Sequence, residues 1–182
     1  MRKLVVWNVM TLDGYFEGEE AWDLRFHETI WGDEMQAFSD RQTAEVGALI
    51  FGRRTYEGMM EYWSAQSDPT AIFMNGILKY VASDTLERAE WNNSTLLQGD
   101  VVKAIGALKA EPGKDLFIFG SADLVADLLP TGLIDEYRVA VAPVLLGGGT
   151  PLFRPMETPI NMRLLDCEQV GSSAVILRYA LT

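Results

Sequence analysis

The first 130 residues alternate short apolar runs with segments whose apolar positions recur at helical spacing. Apolar runs of this length, with few charges inside them, are typical of parallel strands buried on both faces. The predicted strands are residues 3–10, 46–51, 78–82 and 115–119, with a further apolar pair at Leu96 and Leu97. The predicted helices are residues 22–43 with a break at Gly32, 53–63, 101–109 with Asp100 as N-cap, and 122–130.

The remaining segments are predicted as loops or as antiparallel strands. Residues 15–21 are acidic and contain glycine, which indicates a mobile loop, and residues 64–75 are also predicted as a loop. A long strand is predicted at residues 136–146, where Pro143 indicates a sheet edge or a bend. The glycines at 147–149 form a flexible loop, and residues 161–170 and 174–180 form a hairpin. This order predicts one α/β domain over residues 1–182, with a mostly parallel sheet and an antiparallel C-terminal edge.

Two of the predicted strands lead into a helix through glycine. Gly52 is followed by Arg53, Arg54 and Thr55, which places unpaired N–H groups and two guanidinium groups at the start of a helix. That arrangement suits a phosphate, because the positive end of the helix dipole lies there. The alternative is that Gly52 only makes the turn and both arginines are solvated.

The second junction is Gly120-Ser121, after the strand at 115–119. Ser121 is a natural N-cap, with a hydroxyl free to accept a bond from the first turn of the helix. The two junctions could converge at the carboxyl ends of neighbouring strands, where open α/β sheets bind ligands. Together they predict two anchor points for an extended anionic ligand such as a dinucleotide.

Asp13 follows the first strand and precedes Gly14. One interpretation is that it only makes the Asp-Gly turn. The other is that its carboxylate projects into a cleft and either hydrogen-bonds a polar substrate edge or relays a proton. The residues alone leave both interpretations open.

Composition excludes several classes of function. A net charge of −11 argues against nucleic acid and anionic membranes as partners. With one cysteine, Cys167, and one histidine, His27, a Cys/His zinc site is not expected, and no metal is predicted. We expect Cys167 to be packed and His27 to have no catalytic role. The lone cysteine and the lack of a signal peptide or long apolar segment favour the cytoplasm.

Four spaced motifs carry a resemblance over nearly the whole chain: WNVMTLDGYF, IFGRRTYEGMMEYW, LKYVASDTLE and LFIFGSADLVADLLPTGLIDEYRVAVAPVLLGGGTPLF. Their order resembles the dihydrofolate reductase superfamily. The chain is most similar to the branch that contains the C-terminal reductase domain of the bifunctional riboflavin-biosynthesis deaminase-reductase. The resemblance implies a three-layer α/β/α fold and a homodimer.

The resemblance also implies an NADPH-dependent reductase that transfers hydride to a small heterocycle or a sugar-derived substrate, in the manner of a 5-amino-6-(5-phosphoribosylamino)uracil reductase. Asp13 would be the catalytic residue beside the substrate. The alternative is a non-catalytic nucleotide-binding or structural dimer that keeps the fold. The cofactor would contact residues from three motifs: Gly52, Arg53, Arg54, Thr55, Ser83, Gly120, Ser121 and Leu124.

Two positions depart from the family pattern. Asp84 follows Ser83, where family members often carry arginine or lysine to pair with the 2′-phosphate of NADPH. A carboxylate suits a 2′-hydroxyl instead, which leaves NADH as an alternative cofactor. The acidic helix carboxylate of dihydrofolate reductases has Asp23 as its nearest counterpart.

Overall fold

The computed structural model describes residues 1–181, and this range contains ten strands and five α-helices. The strands are β1 (Leu4–Thr11), β2 (Tyr15–Glu17), β3 (Val46–Gly52), β4 (Leu78–Ala82), β5 (Ser94–Leu97), β6 (Asp115–Phe119), β7 (Glu136–Ala142), β8 (Thr150–Pro151), β9 (Met162–Val170) and β10 (Ala174–Leu181). The α-helices are α1 (Asp33–Thr43), α2 (Arg53–Ser64), α3 (Pro69–Gly76), α4 (Val101–Ala110) and α5 (Ala122–Leu128), and short 3₁₀ helices span Arg25–Thr29 and Leu129–Thr131.

Eight strands form one sheet in the order β5-β4-β3-β6-β1-β7-β10-β9. All pairs from β5 to β7 are parallel, whereas β10 is antiparallel to both β7 and β9. The predicted mostly parallel sheet with an antiparallel C-terminal hairpin at one edge is therefore confirmed. The first strand lies near the centre, as its apolar run predicts.

Helices cover both faces of the sheet, and the alternation of side chains along β1 shows how the two cores form. Val6 faces one core, where it packs with Ile105 of α4 and Val125 of α5. Val5 faces the opposite core, which contains Tyr56 of α2. Because successive residues of a strand point to opposite faces, one apolar run supplies both cores. The three-layer α/β/α arrangement follows.

The segment predicted as a loop at 64–75 contains α3. Asp68 is its N-cap, with a side chain that accepts a hydrogen bond from the N–H of Ala71 at 3.0 Å, and Pro69 occupies the first helical position. Asp-Pro is a regular helix start, because proline lacks the N–H that would be unpaired there. This signal was present in the sequence, and the loop prediction was wrong.

Three other boundaries differ from the pattern-based prediction. Residues 15–17 form β2, which pairs with β8 in a separate two-stranded sheet. The region predicted as one helix broken at Gly32 consists of a 3₁₀ helix and α1, which flank that glycine. The strand predicted at 136–146 ends at Ala142, so Pro143 marks a bend, and β7 lies between β1 and β10 rather than at an edge.

Cys167 and His27 have different environments. Cys167 is exposed on β9, so the expectation that it would be packed was wrong. His27 is largely buried, with its ring edge-on to Phe26 at 4.7 Å between centroids. No helix within residues 1–181 has the length and apolar character needed to cross a membrane.

Candidate functional site

The residues predicted to bind a cofactor converge at the carboxyl edge of three neighbouring strands. β3 pairs with β4 on one side and with β6 on the other. Gly52 ends β3 and pairs with Ala82, the last residue of β4, so Ser83 lies one residue beyond that pair. Gly120 follows β6 directly. The predicted meeting of the two glycine junctions at one edge of the sheet is confirmed.

Hydrogen bonds join the two junctions directly. The N–H of Gly52 donates to the hydroxyl oxygen of Ser121 at 3.1 Å, and the N–H of Ser121 donates to Oγ1 of Thr55 at 3.2 Å. Gly120 and Ser121 are both left-handed, with φ of 65° and 51°. Ser121 lies at the N-cap of α5 as predicted, but its hydroxyl does not cap the helix, because the oxygen faces Gly52 instead.

The N-terminus of α2 has no cap from its own chain. Its N-cap is Gly52, which has no side chain, and the first turn carries no acidic residue. In α3 and α4, by contrast, Asp68 and Asp100 each accept a hydrogen bond from an N–H of the first turn. The first N–H groups of a helix have no intrahelical acceptor and attract anions. The start of α2 is therefore suited to an anionic ligand.

Two guanidinium groups flank this helix start. Arg53 and Arg54 are both exposed, and Arg53 makes an exposed ion pair with Glu57 at 3.4 Å. An exposed pair of this kind contributes little to stability, so the Arg53 guanidinium could exchange its partner for a phosphate at small cost. Leu124 closes the other side of the junction: a Cβ added at Gly52 would lie 3.7 Å from Cβ of Leu124.

The loop after β4 has its own set of bonds. The hydroxyl oxygen of Ser83 accepts hydrogen bonds from the N–H groups of Thr85 at 3.2 Å and Leu86 at 3.1 Å. The Asp84 carboxylate accepts from the N–H of Gly99 at 3.0 Å, at the end of β5. Asp84 therefore ties two neighbouring strand ends together while its exposed carboxylate adds negative charge to this part of the edge.

Asp13 does not contact the junction residues. Among the described residues, its carboxylate accepts hydrogen bonds from the Thr11 hydroxyl at 2.6 Å and from the N–H groups of Leu146 at 3.2 Å and Gly147 at 2.8 Å. These bonds, led by that from Thr11, lower the pKa of Asp13 below its usual value. The carboxylate is thus ionised at neutral pH and positions the glycine loop that follows β7.

Asp23 is also held as a carboxylate. Its two oxygens accept bonds from Nε and Nη2 of Arg25, each at 2.7 Å. This bidentate pair lowers the pKa of Asp23. An ionised carboxylate can accept a hydrogen bond or polarise a neighbouring group, but it cannot donate a proton. Neither Asp13 nor Asp23 is therefore arranged as a proton donor.

The segment after Asp13 folds back over the junctions, which the sequence pattern did not indicate. A Cβ added at Gly120 would lie 3.6 Å from Cζ of Phe16, so this ring lies beside the Gly120 turn. The N–H of Trp22 donates to the carboxylate of Glu17 at 2.6 Å, and the Trp22 indole rests on Gly58 of α2. We refer to residues 15–23 as the covering loop. Glycine at position 18 leaves room for this fold: a Cβ added there would lie within 3 Å of the Asp23 side chain.

Two concave surfaces lie beside these junctions. A cavity of about 230 Å³ lies between α5 and residues 152–156. A second, of about 470 Å³, lies between α2 and the segment after β4, where its charged lining residues are Glu57, Glu87, Arg88 and Glu90. Neither is lined by Gly52 or Asp13.

The fold is that of a dihydrofolate reductase-like α/β protein. The dihydrofolate reductase of Enterococcus faecalis, solved with NADP(H) and RAB-propyl, superposes with a TM-score of 0.65 at 14% identity, over 99% of this chain and 96% of the other. Residues 2–176 match the RibD C-terminal domain family, and the chain belongs to that family.

Two further proteins are similar over nearly their whole lengths. YyaP of Bacillus subtilis (strain 168), an uncharacterized protein, is 27% identical over 185 residues, which cover 98% of this chain and 94% of YyaP. The crystal structure of a candidate riboflavin biosynthesis protein from Shewanella sp. PV-4 has a TM-score of 0.80 at 22% identity and covers 99% of each chain. At this identity the structural likeness establishes the fold alone.

Proposed function

We propose that the protein is a reductase that binds NADPH across the Gly52 and Gly120 junctions. The observation that carries the proposal is the uncapped start of α2, hydrogen-bonded to the Gly120–Ser121 turn and flanked by Arg53 and Arg54. Membership of the RibD C-terminal domain family and the NADP(H) complex of the structurally similar dihydrofolate reductase support it.

The candidate site residues would bind different parts of the cofactor. The first-turn N–H groups of α2, with Arg53 and Arg54, would bind the phosphates, and the Thr55 hydroxyl would keep the Ser121 N–H in place. Ser83 would approach the adenosine ribose, with Leu124 packed beneath the Gly52 turn. NADPH supplies hydride when it is bound, and the protein supplies orientation and charge. Asp84, which adds a carboxylate near Ser83, leaves NADH as an alternative cofactor.

The substrate we propose is a small heterocycle or a sugar-derived compound of the 5-amino-6-(5-phosphoribosylamino)uracil kind. Asp13 would act on it as an ionised hydrogen-bond acceptor that orients a polar edge, since the bonds from Thr11, Leu146 and Gly147 keep its pKa low. An Asp13→Asn variant should then lose turnover while its affinity for NADPH stays within two-fold of the wild type.

A second function is favoured by one observation. Asp13 and Asp23 are both held as carboxylates, so neither is arranged to donate a proton. A nucleotide-binding protein without turnover would have this site, and it is the alternative to the reductase. Saturable NADPH binding, with no oxidation of NADPH in the presence of any candidate pyrimidine or ribosylamine substrate, would favour the alternative.

We also propose that two copies associate through the β9 edge of the sheet, in the cytoplasm. β9 has nine residues and, within residues 1–181, no neighbouring strand on its outer side, and Leu164 and Leu165 are 52% and 40% exposed. The register between β9 and β10 shifts opposite Arg178 and Tyr179, so the two exposed leucines lie at a β-bulge of this edge strand. A second copy would cover this strand edge. Light scattering after size exclusion should give a dimer mass, and Leu164→Lys should shift it towards the monomer.

The experiment that tests the cofactor proposal is a titration with NADPH and with NADH, followed by tryptophan fluorescence. Arg53→Ala should weaken NADPH binding by about ten-fold or more, since hydrogen bonds to charged groups are worth about 1.5–3 kcal/mol. Arg41→Ala is the matched control, because Arg41 is an exposed arginine paired with Glu168 on another face. The absence of saturable binding of either nucleotide would contradict the proposal.

A further inference from the structure

An asparagine and a tyrosine are buried in the core directly beneath the Gly120 turn. Asn8, on β1, is 2% exposed, and Tyr137, on β7, is also 2% exposed. Their neighbours on this face are apolar, including Val6 and Val139. A buried amide costs free energy unless it is hydrogen-bonded, so a polar pair at this depth needs a structural reason.

The partners of Asn8 define which way its amide points. With its oxygen towards Tyr137, the amide oxygen accepts from the phenol hydroxyl at 3.0 Å, and the nitrogen donates to the carbonyl oxygens of Gly120 at 3.2 Å and Trp7 at 3.3 Å. In the opposite orientation the amide oxygen would face those two carbonyl oxygens. All three atoms are acceptors, so no hydrogen bond could form between them. Burial raises the pKa of Tyr137, so its hydroxyl keeps the proton that it donates.

These hydrogen bonds lie where the pairing between β1 and β6 ends. β1 and β6 pair from Leu4 to Trp7, and the last bond between them is from the N–H of Gly120 to the carbonyl of Trp7 at 3.1 Å. β1 then continues to Thr11 while paired only with β7. Asn8 is the first residue past this fork, and its amide bonds the carbonyls on both sides of it.

The orientation of the Gly120 carbonyl determines where the next N–H points. Gly120 is left-handed, a conformation that glycine adopts without the steric cost of a Cβ. The following N–H, of Ser121, donates to Thr55, and the Ser121 hydroxyl accepts from Gly52. A continuous chain of hydrogen bonds thus runs from Tyr137 through Asn8 to the turn that joins the two junctions.

We propose that Asn8 and Tyr137 are positioning residues that hold the Gly120–Ser121 turn in the conformation that receives the cofactor pyrophosphate. That the turn receives a cofactor rests on the proposed function. That Asn8 and Tyr137 hold the turn rests on the chain of hydrogen bonds alone. Both side chains are buried, so neither would touch the cofactor. Their effect is to fix the direction of one peptide group, which preorganises the site.

The test compares Asn8→Leu and Tyr137→Phe with Val6→Ala, a cavity-forming change on the same strand and face, two residues before Asn8. Asn8→Leu should weaken NADPH binding by ten-fold or more and speed amide hydrogen exchange at Ser121. Tyr137→Phe keeps the bond from Asn8 to Gly120, so affinity should fall only a few-fold. Val6→Ala should lower the melting temperature and leave the dissociation constant within two-fold of the wild type.

Hydrogen exchange separates this inference from the proposed function. If the wild type binds neither nucleotide, the proposed function fails, while exchange at Ser121 still reports whether Asn8 holds the turn. Unchanged exchange at Ser121 in Asn8→Leu, or affinity losses in Val6→Ala as large as those in Asn8→Leu, would overturn the positioning role.

Discussion

The indole of Trp22 lies directly on Gly58, at a site where no larger residue fits. A Cβ added at Gly58 would lie 2.0 Å from Cζ2 of Trp22 and 2.3 Å from Cε2. Gly58 is in the middle of α2, where glycine costs about 0.5–1 kcal/mol relative to alanine. Glycine carries that cost at a position of α2 where the Trp22 indole packs.

Gly58→Ala should therefore displace the covering loop without unfolding the helix. Trp22 is 41% exposed, so its ring can move into solvent more easily than α2 can shift. Acrylamide should then quench the fluorescence of Trp22 more strongly, while the free energy of unfolding changes little. The Trp22 signal is identified as the fluorescence that a Trp22→Phe variant lacks. Gly106→Ala is the control, because a Cβ there meets nothing within 4 Å. It should stabilise by about 0.5–1 kcal/mol and leave quenching unchanged. Equal quenching in both variants would contradict the contact.

Thr55 can be tested by a pair of substitutions that differ in one hydroxyl. Thr55→Val keeps the shape of the side chain but removes the acceptor for the Ser121 N–H, so we expect a loss of about 1–3 kcal/mol. Thr55→Ser restores the acceptor and should recover most of that loss. Urea unfolding monitored by circular dichroism measures both. If Ser is no better than Val at this position, the methyl group rather than the hydroxyl holds the turn.

Alanine substitutions at Gly120 and Gly132 distinguish the cost of backbone strain from the cost of steric crowding. Both have positive φ, 65° and 72°, so alanine is strained at either position by about 1–2 kcal/mol. A Cβ at Gly132 meets nothing within 4 Å, whereas one at Gly120 lies 3.3 Å from Cγ2 of Thr55. Gly120→Ala should therefore lower the free energy of unfolding more than Gly132→Ala, and should also weaken NADPH binding. Equal losses of stability in the two variants would show that Thr55 moves away freely.

Most of the fold could be predicted because the signals for strands and for the ends of strands lie in short stretches of sequence. Apolar runs identify the parallel strands, and the glycines at the ends of β3 and β6 mark where both chains leave the sheet. The partners of individual buried polar side chains were not predictable in this way. Lys79 lies in a strand whose neighbouring residues are mostly apolar, yet it is 1% exposed, and its ammonium donates to the carbonyls of Ile77 and Asn92. No spacing rule shows that backbone carbonyls on either side of this strand converge on the ammonium.

The same limit applies to the candidate site. Spacing placed Gly52 and Gly120 at one edge, because neighbouring parallel strands end together. It could not show that the Ser121 hydroxyl faces Gly52 instead of its own helix, since that choice depends on the left-handed backbone at Ser121. Nor could it separate the two interpretations of Asp13, whose partners Leu146 and Gly147 lie more than 130 residues away along the chain, at separations of 133 and 134.

His27 should make stability depend on pH in the mildly acidic range. Burial lowers its pKa from 6.5 to about 4, and Nε2 has no hydrogen-bond partner among the described residues. The unfolded chain therefore binds a proton that the folded protein does not, and stability falls as pH drops from about 6.5 towards 4. Linkage gives a loss of about 2 kcal/mol at pH 5.

The measurement is the free energy of unfolding in urea at pH 7 and at pH 5, for the wild type and for His27→Phe. The variant keeps an aromatic ring beside Phe26 and has no group that titrates, so it should lose about 2 kcal/mol less than the wild type between these pH values. His27 is the single histidine of the chain, so no other imidazole can produce the difference. If both proteins lose the same stability, His27 takes up its proton in the folded state without opening the pocket around Phe26.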